Sequence, residues 1–172
     1  AQKKVPVLEE YTGVRCGFCP AGHIIGSNIK AANPKAVIIN LHGAPYGPGS
    51  ATMVDLRSDV SFDLDSVADP SGYPAGSVNR VGKATGRGGW TSAANTIATQ
   101  NSPVNVAAKA SIDLNTRELE VIVETYYTAN SSASTNKLNV FILQNNIAGY
   151  QASGSTNPAN VLPNGDYNHM HA

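Results

Sequence analysis

The chain has two cysteines, and they stand together as Cys16-Gly17-Phe18-Cys19. The residues before them, Val5-Pro6-Val7-Leu8-Glu9-Glu10-Tyr11, read as a strand, and those after them, Pro20 to Ile29, read as a helix. A C-x-x-C at such a junction sets the first sulfur at a helix N-terminus. Free N–H groups and the positive end of the helix dipole favour thiolate over thiol there, so Cys16 is expected to be the more exposed sulfur, with a lowered thiol pKa. The second sulfur lies one turn on, close enough to close a small disulfide ring. The combination is a dithiol/disulfide redox centre. Two other readings stay open. One is an inert structural disulfide. The other is a metal site, for which a structural zinc needs four ligands. The chain has no second cysteine pair, and His23, about one turn past Cys19, leaves a Cys-Cys-His cluster open.

Pro20 is tolerated in the first helical turn, where N–H groups lack intrahelical partners. Ile24, Ile25, Asn28 and Ile29 then give a helical face, and Asn33-Pro34 stops it. Ala36 to Leu41 is a short apolar run, as in a buried parallel strand. His42 to Gly49 is rich in glycine and proline and reads as loop, with His42 a loop histidine. Met53 to Leu64 reads as a helix with Val54, Leu56, Val60 and Leu64 inward. After the turn residues Asp69-Pro70-Ser71-Gly72, Tyr73-Pro74 opens a strand reaching Asn79, and an X-Pro bond is the one peptide bond that is readily cis. Trp90 to Gln100 reads as a helix.

At Ser102-Pro103 the pattern changes to period two. Val104, Val106, Ala108, Ala110, Ile112 and Leu114 alternate with polar or small residues; Leu119, Val121 and Val123 alternate with glutamates; Leu138, Val140 and Ile142 repeat the pattern. That is an antiparallel sheet with one wet face. The chain therefore divides into an α/β part, residues 1–102, and an all-β, sandwich-like part, residues 103–172. His169 and His171 share a face if their segment is a strand, either as an adventitious metal pair or as an incomplete strand.

Charge is balanced, with 12 basic and 12 acidic residues, so no nucleic-acid or anionic-membrane partner is indicated. No apolar run reaches the roughly 18 residues of a membrane-spanning helix, and no cofactor is called for. Charged residues make up 14% of a chain rich in small polar residues, a texture common in exported bacterial proteins.

Strand, C-x-x-C helix, strand and a later Gly72-Tyr73-Pro74 resemble the thioredoxin fold. The resemblance implies redox roles for Cys16 and Cys19 and a cis bond at Pro74 facing them. It also implies that Glu10 is a buried acid that helps move a proton on and off the second cysteine; the competing reading is a solvated edge residue. Tyr73 and Phe18 would flank a groove for a substrate chain, or serve as plain hydrophobic cover. Arg15 departs from the usual aromatic before the first cysteine, and the segment from Leu41 to Pro74 is longer than in minimal members. Over its whole length the chain is similar to the Omp28-related outer-membrane proteins of Bacteroidetes. Leu8-Glu9-Glu10-Tyr11-Thr12-Gly13, the C-G-x-C-P-x-x-H stretch from Cys16 to His23, Tyr73-Pro74 to Arg80 and the Asn-His-x-His ending at His171 carry that similarity. It implies an exported envelope protein, periplasmic or outer-membrane-associated, whose β-rich part continues past His171.

Two functions follow. One is thiol–disulfide exchange on protein substrates. Cys16 attacks, Cys19 resolves, and Tyr73 and Pro74 hold the partner chain. The other is a non-catalytic binding or structural role with a fixed disulfide. The fold alone does not choose between them.

Overall fold

The computed structural model describes residues 2–170. Two compact units emerge. One combines Val5–Ala98 with residues 141–170; the other combines residues 2–4 with Thr99–Val140.

The first unit is built on a four-stranded sheet in the order β2-β1-β3-β4. Here β1 is Val7–Thr12, β2 is Val37–His42, β3 is Ala75–Val78 and β4 is Thr85–Gly86. Strand β1 runs parallel to β2 and antiparallel to β3, and β3 is antiparallel to β4. Helix α1 (Cys19–Ala32) connects β1 to β2; α2 (Asp59–Ala68) and α3 (Trp90–Thr99) flank β3 and β4 in the chain. Two apolar clusters locate the layers. Leu8, Ile38 and Val78 of the sheet pack with Ile29 of α1 and with Trp90, Ala94 and Ile97 of α3. Tyr11, Ile39, Leu41 and Ala75 pack with Leu64 and Ala68 of α2. Alternation along β1 thus sends Leu8, Glu10 and Thr12 toward α1, and Tyr11 to the opposite face. This is a thioredoxin-like arrangement, in which the C-x-x-C sits where β1 hands over to α1.

Helix α1 ends where Asn33-Pro34 stops it, with Asn33 donating to the Ile29 carbonyl. Helix α2 starts at Asp59, later than Met53, because Ser58 caps it. The Ser58 hydroxyl accepts from Ser61 N–H and the Ser61 hydroxyl accepts from Ser58 N–H. Val54 and Leu56 therefore precede the helix. Val60 is exposed, and Leu64 of the expected inward set packs on the sheet.

The same unit includes β7 (Ile147–Gly149) and β8 (Tyr167–His169), an antiparallel pair, with 3-10 turns at Gly154–Thr156 and Pro158–Asn160. A single cut at residue 102 is therefore not how the contacts fall: residues 141–170 return to the first unit. Their polar and aromatic groups are spaced without a period, so alternation carries no sign of it.

The second unit is a hairpin of β5 (Val104–Ile112) and β6 (Leu119–Tyr127), in register from Val104↔Tyr127 to Ile112↔Leu119. This is the expected antiparallel sheet, with two strands. Leu138, Val140 and Ile142 form no third strand and are exposed at 58%, 55% and 79%. The alternate residues Phe141 and Leu143 pack against the Tyr11 cluster instead. A one-residue slip in a period-two pattern inverts which side chains are buried.

Candidate functional site

Cys16 and Cys19 form a disulfide, with an S–S distance of 2.12 Å and Cα atoms 5.4 Å apart. Cys16 lies in the turn before α1, its N–H bonded to the Gly13 carbonyl at 2.9 Å. Cys19 is the first residue of α1. Both are buried, at 2% for Cys16 and 0% for Cys19. The segment after β7 lies against the turn that carries Cys16. Gln151 Nε2 donates to the Cys16 carbonyl at 3.0 Å and to the Gly13 carbonyl at 3.3 Å. Ala152 N–H donates to the Val14 carbonyl at 2.8 Å, and Ser153 Oγ lies 3.2 Å from where a Cβ on Gly17 would stand. Residues 151–153 thus cap the loop that carries Cys16. Phe18, between the cysteines, is 72% exposed. The Arg15 guanidinium is held by the Gly47 and Pro45 carbonyls.

Glu10 is completely buried on the α1 side of the sheet. Neither of its carboxyl oxygens has a hydrogen-bond partner. Burial pushes its pKa well above the usual carboxyl value. The reading of Glu10 as a solvated edge residue is thereby excluded. A Cβ on Gly22 would overlap Glu10 Oε1, and the same point lies 3.1 Å from the Pro74 ring. Glu10 and Pro74 therefore meet under Gly22, one turn past Cys19. The Tyr73–Pro74 bond is cis. The Tyr73 hydroxyl donates to Asp65 Oδ1 on α2, and its ring meets Tyr46 at 5.3 Å, so its phenol is engaged within the unit.

A polar cluster that the sequence pattern leaves unmarked adjoins this carboxyl. His23, on the face of α1 that covers β1, has Nε2 3.8 Å from Glu10 Oε1 and 3.2 Å from Thr12 Oγ1. Its Nδ1 is 2.8 Å from the Tyr167 hydroxyl, which also accepts from Asn157 Nδ2 at 3.0 Å. His169 stacks edge-on against Tyr167 at 5.1 Å and against His42 at 5.7 Å. Burial, with His169 adding to it, pushes both His23 and His42 down to about 3. Burial lowers His169 as well and pushes Tyr167 up to about 12. His42 is therefore a buried residue at the end of β2 rather than a loop histidine. Among the described residues no group of three or more His, Cys, Asp or Glu side chains is disposed to hold a metal. His23 is committed to Thr12 and Tyr167 instead, and His171, the second half of the expected His-x-His pair, lies outside the described residues. The one sequence signal for this cluster is the histidine content of an otherwise featureless C-terminal stretch.

No helix among the described residues is long and apolar enough to cross a membrane. No protein-family model and no curated protein matches the chain. Among solved structures it is similar to HBP35 of Porphyromonas gingivalis. The match has 23% identity and a TM-score of 0.49, covering 64% of this chain and 38% of that one.

Proposed function

We propose that this chain is a thiol–disulfide exchange protein of the cell envelope, acting on protein substrates through Cys16 and Cys19. The observation that carries the reading is the placement of Glu10. A buried carboxyl with unpartnered oxygens is costly to the fold, and it lies under the turn of α1 that follows Cys19. A proton held there serves Cys19 as it is formed or consumed as a thiol. Exposed Phe18 offers an apolar contact beside the sulfurs for a substrate chain, and Pro74 lies against Gly22 in the same first turns of α1. A closed disulfide in the resting protein fits an oxidising compartment. The low share of charged residues and the sequence resemblance to the Omp28-related proteins support the same location.

The burial of both sulfurs favours a second reading, a scaffold with a fixed bridge. A redox titration separates them. Equilibration with a dithiol at neutral pH, together with mixed disulfides accumulating on Cys16 in Cys19→Ser, supports exchange. A bridge that reacts only once the protein is unfolded supports the scaffold.

A further inference from the structure

We propose that His23 is a positioning residue for proton transfer, linking the buried Glu10 carboxyl to solvent through Tyr167; the proposal rests on the exchange reading above. His23 has two sides. Its Nε2 faces Glu10 and Thr12 inside the fold. Its ring also lines an open cleft of about 360 Å³, together with Lys30, Asn40, Asn160, Tyr167 and His169. Among the described residues it touches both the Glu10 carboxyl and this cleft, and its imidazole can accept a proton at one atom and donate it at another.

Asn157 Nδ2 donates to the Tyr167 oxygen. The relay uses the arrangement in which the Tyr167 hydroxyl hydrogen goes to His23 Nδ1 and the ring proton sits on Nε2, 3.2 Å from Thr12 Oγ1 and 3.8 Å from Glu10 Oε1. Burial favours the uncharged form throughout the cluster: it raises Glu10 on β1 and lowers His23 on α1, His42 on β2 and His169 on β8. Lys30, two turns further along α1, is the cation of the cleft and donates to the Ala36 carbonyl.

A substrate thiolate attacks Cys16 Sγ, the Cys16–Cys19 bond breaks, and the electron pair leaves on Cys19 Sγ. That sulfur takes the proton of Glu10. A carboxylate is left in a fully buried site without a hydrogen-bond donor of its own, and it is expensive there. His23 Nε2–H supplies the replacement proton while Nδ1 takes the Tyr167 hydroxyl proton, and Tyr167 recovers one from water in the cleft. In the reverse direction, resolution of a mixed disulfide by Cys19, the same protons travel outward.

The test is the rate of dithiothreitol reduction of the bridge in the full chain, read by alkylation and mass spectrometry from pH 5 to 9. His23→Gln should slow it about tenfold or more, toward the lower end of what a positioned proton-transfer group supplies. The same substitution should have no further effect in a Glu10→Gln background. His23→Ala should be slow and should recover when free imidazole is added. Tyr167→Phe, which keeps the ring and loses the hydroxyl, should reproduce the slowing if the histidine variants fold poorly. Slowing by His23→Gln that persists in Glu10→Gln, or no rescue by imidazole together with a normal rate in Tyr167→Phe, overturns the relay. A wild-type bridge that does not react with dithiothreitol in the folded protein overturns the exchange reading itself.

Discussion

Gln151 donates its side-chain amide to the carbonyl of Cys16 at 3.0 Å across 135 residues of sequence. The same nitrogen reaches the Gly13 carbonyl, so one side chain bridges both ends of the turn that presents the first cysteine. The cover on the disulfide is thus held by polar contacts rather than by an apolar plug.

Gln151→Ala should loosen that cover. It removes two hydrogen bonds to carbonyls that keep Cys16 N–H and Cys19 N–H as partners, at a cost of about 0.5–1.5 kcal/mol each. If reduction proceeds through opening of the cover, the bridge should react with dithiothreitol roughly 5–30 times faster, the factor that one or two kcal/mol represents. An unchanged reduction rate alongside a lowered Tm would show that reagents reach the sulfurs by another route.

Glu10 gives stability a definite pH slope. Its pKa is raised in the folded protein, so the folded state holds the proton that the unfolded chain releases near pH 4.5. The stabilising contribution is complete below that pH and is lost as pH rises toward the folded pKa. Guanidinium chloride unfolding of Glu10→Gln should therefore show an advantage over wild type that grows between pH 5 and 8, by up to about 1.4 kcal/mol per pH unit. A difference that is flat with pH would mean that Glu10 is ionised in the folded state.

The histidines have the opposite sign. His23 and His42 are held near 3 in the fold against 6.5 in the unfolded chain. Their contribution is present above pH 6.5 and is lost as pH falls toward 3. His42 Nδ1 has no partner, so His42→Leu sacrifices no hydrogen bond at that atom. Calorimetry should show its Tm falling less steeply than wild type from pH 7 to 4. Parallel curves would remove His42 from the acid response.

Gly22 and Gly26 predict a contrast on one helix. A Cβ on Gly22 would overlap the Glu10 carboxyl, whereas one on Gly26 meets Ile38 Cγ2 at 3.3 Å and Glu10 Oε2 at 3.8 Å. Gly22→Ala should cost about 1–3 kcal/mol through overpacking, lowering Tm by about 2–4 °C per kcal/mol. Gly26→Ala should stay near neutral, because the gain in helix propensity of about 1 kcal/mol offsets a tight contact. Equal losses at both sites would mean that Glu10 is not what limits the approach of α1.

The parts of this fold that were legible in the sequence are those with local signals. Cys16 and Cys19 at a strand–helix junction, Asn33-Pro34 as a stop, the apolar run of β2 and the alternation in β5 and β6 each announce themselves within a short window. Glu10 was legible through resemblance, since a glutamate in a strand has no local mark of burial. Gln151, Asn157 and Tyr167 were not legible. Their roles depend on partners more than a hundred residues away or within an aperiodic turn, and neither hydrophobic period nor turn chemistry encodes such pairings. His42 was misread for the same reason. Its neighbours in sequence are loop formers, and its ring packs edge-on against His169 from a distant strand.

The chain order of the disulfide and its cover has a temporal meaning. Cys16 precedes Gln151 by 135 residues. A ribosome or an export channel working from the N-terminus therefore delivers the two thiols open to any oxidant until Gln151 follows. The lid arrives only after the hairpin of β5 and β6 has been made. Oxidation of the pair has its widest opportunity before Gln151 arrives, and residues 151–153 then close over whichever redox state has been reached.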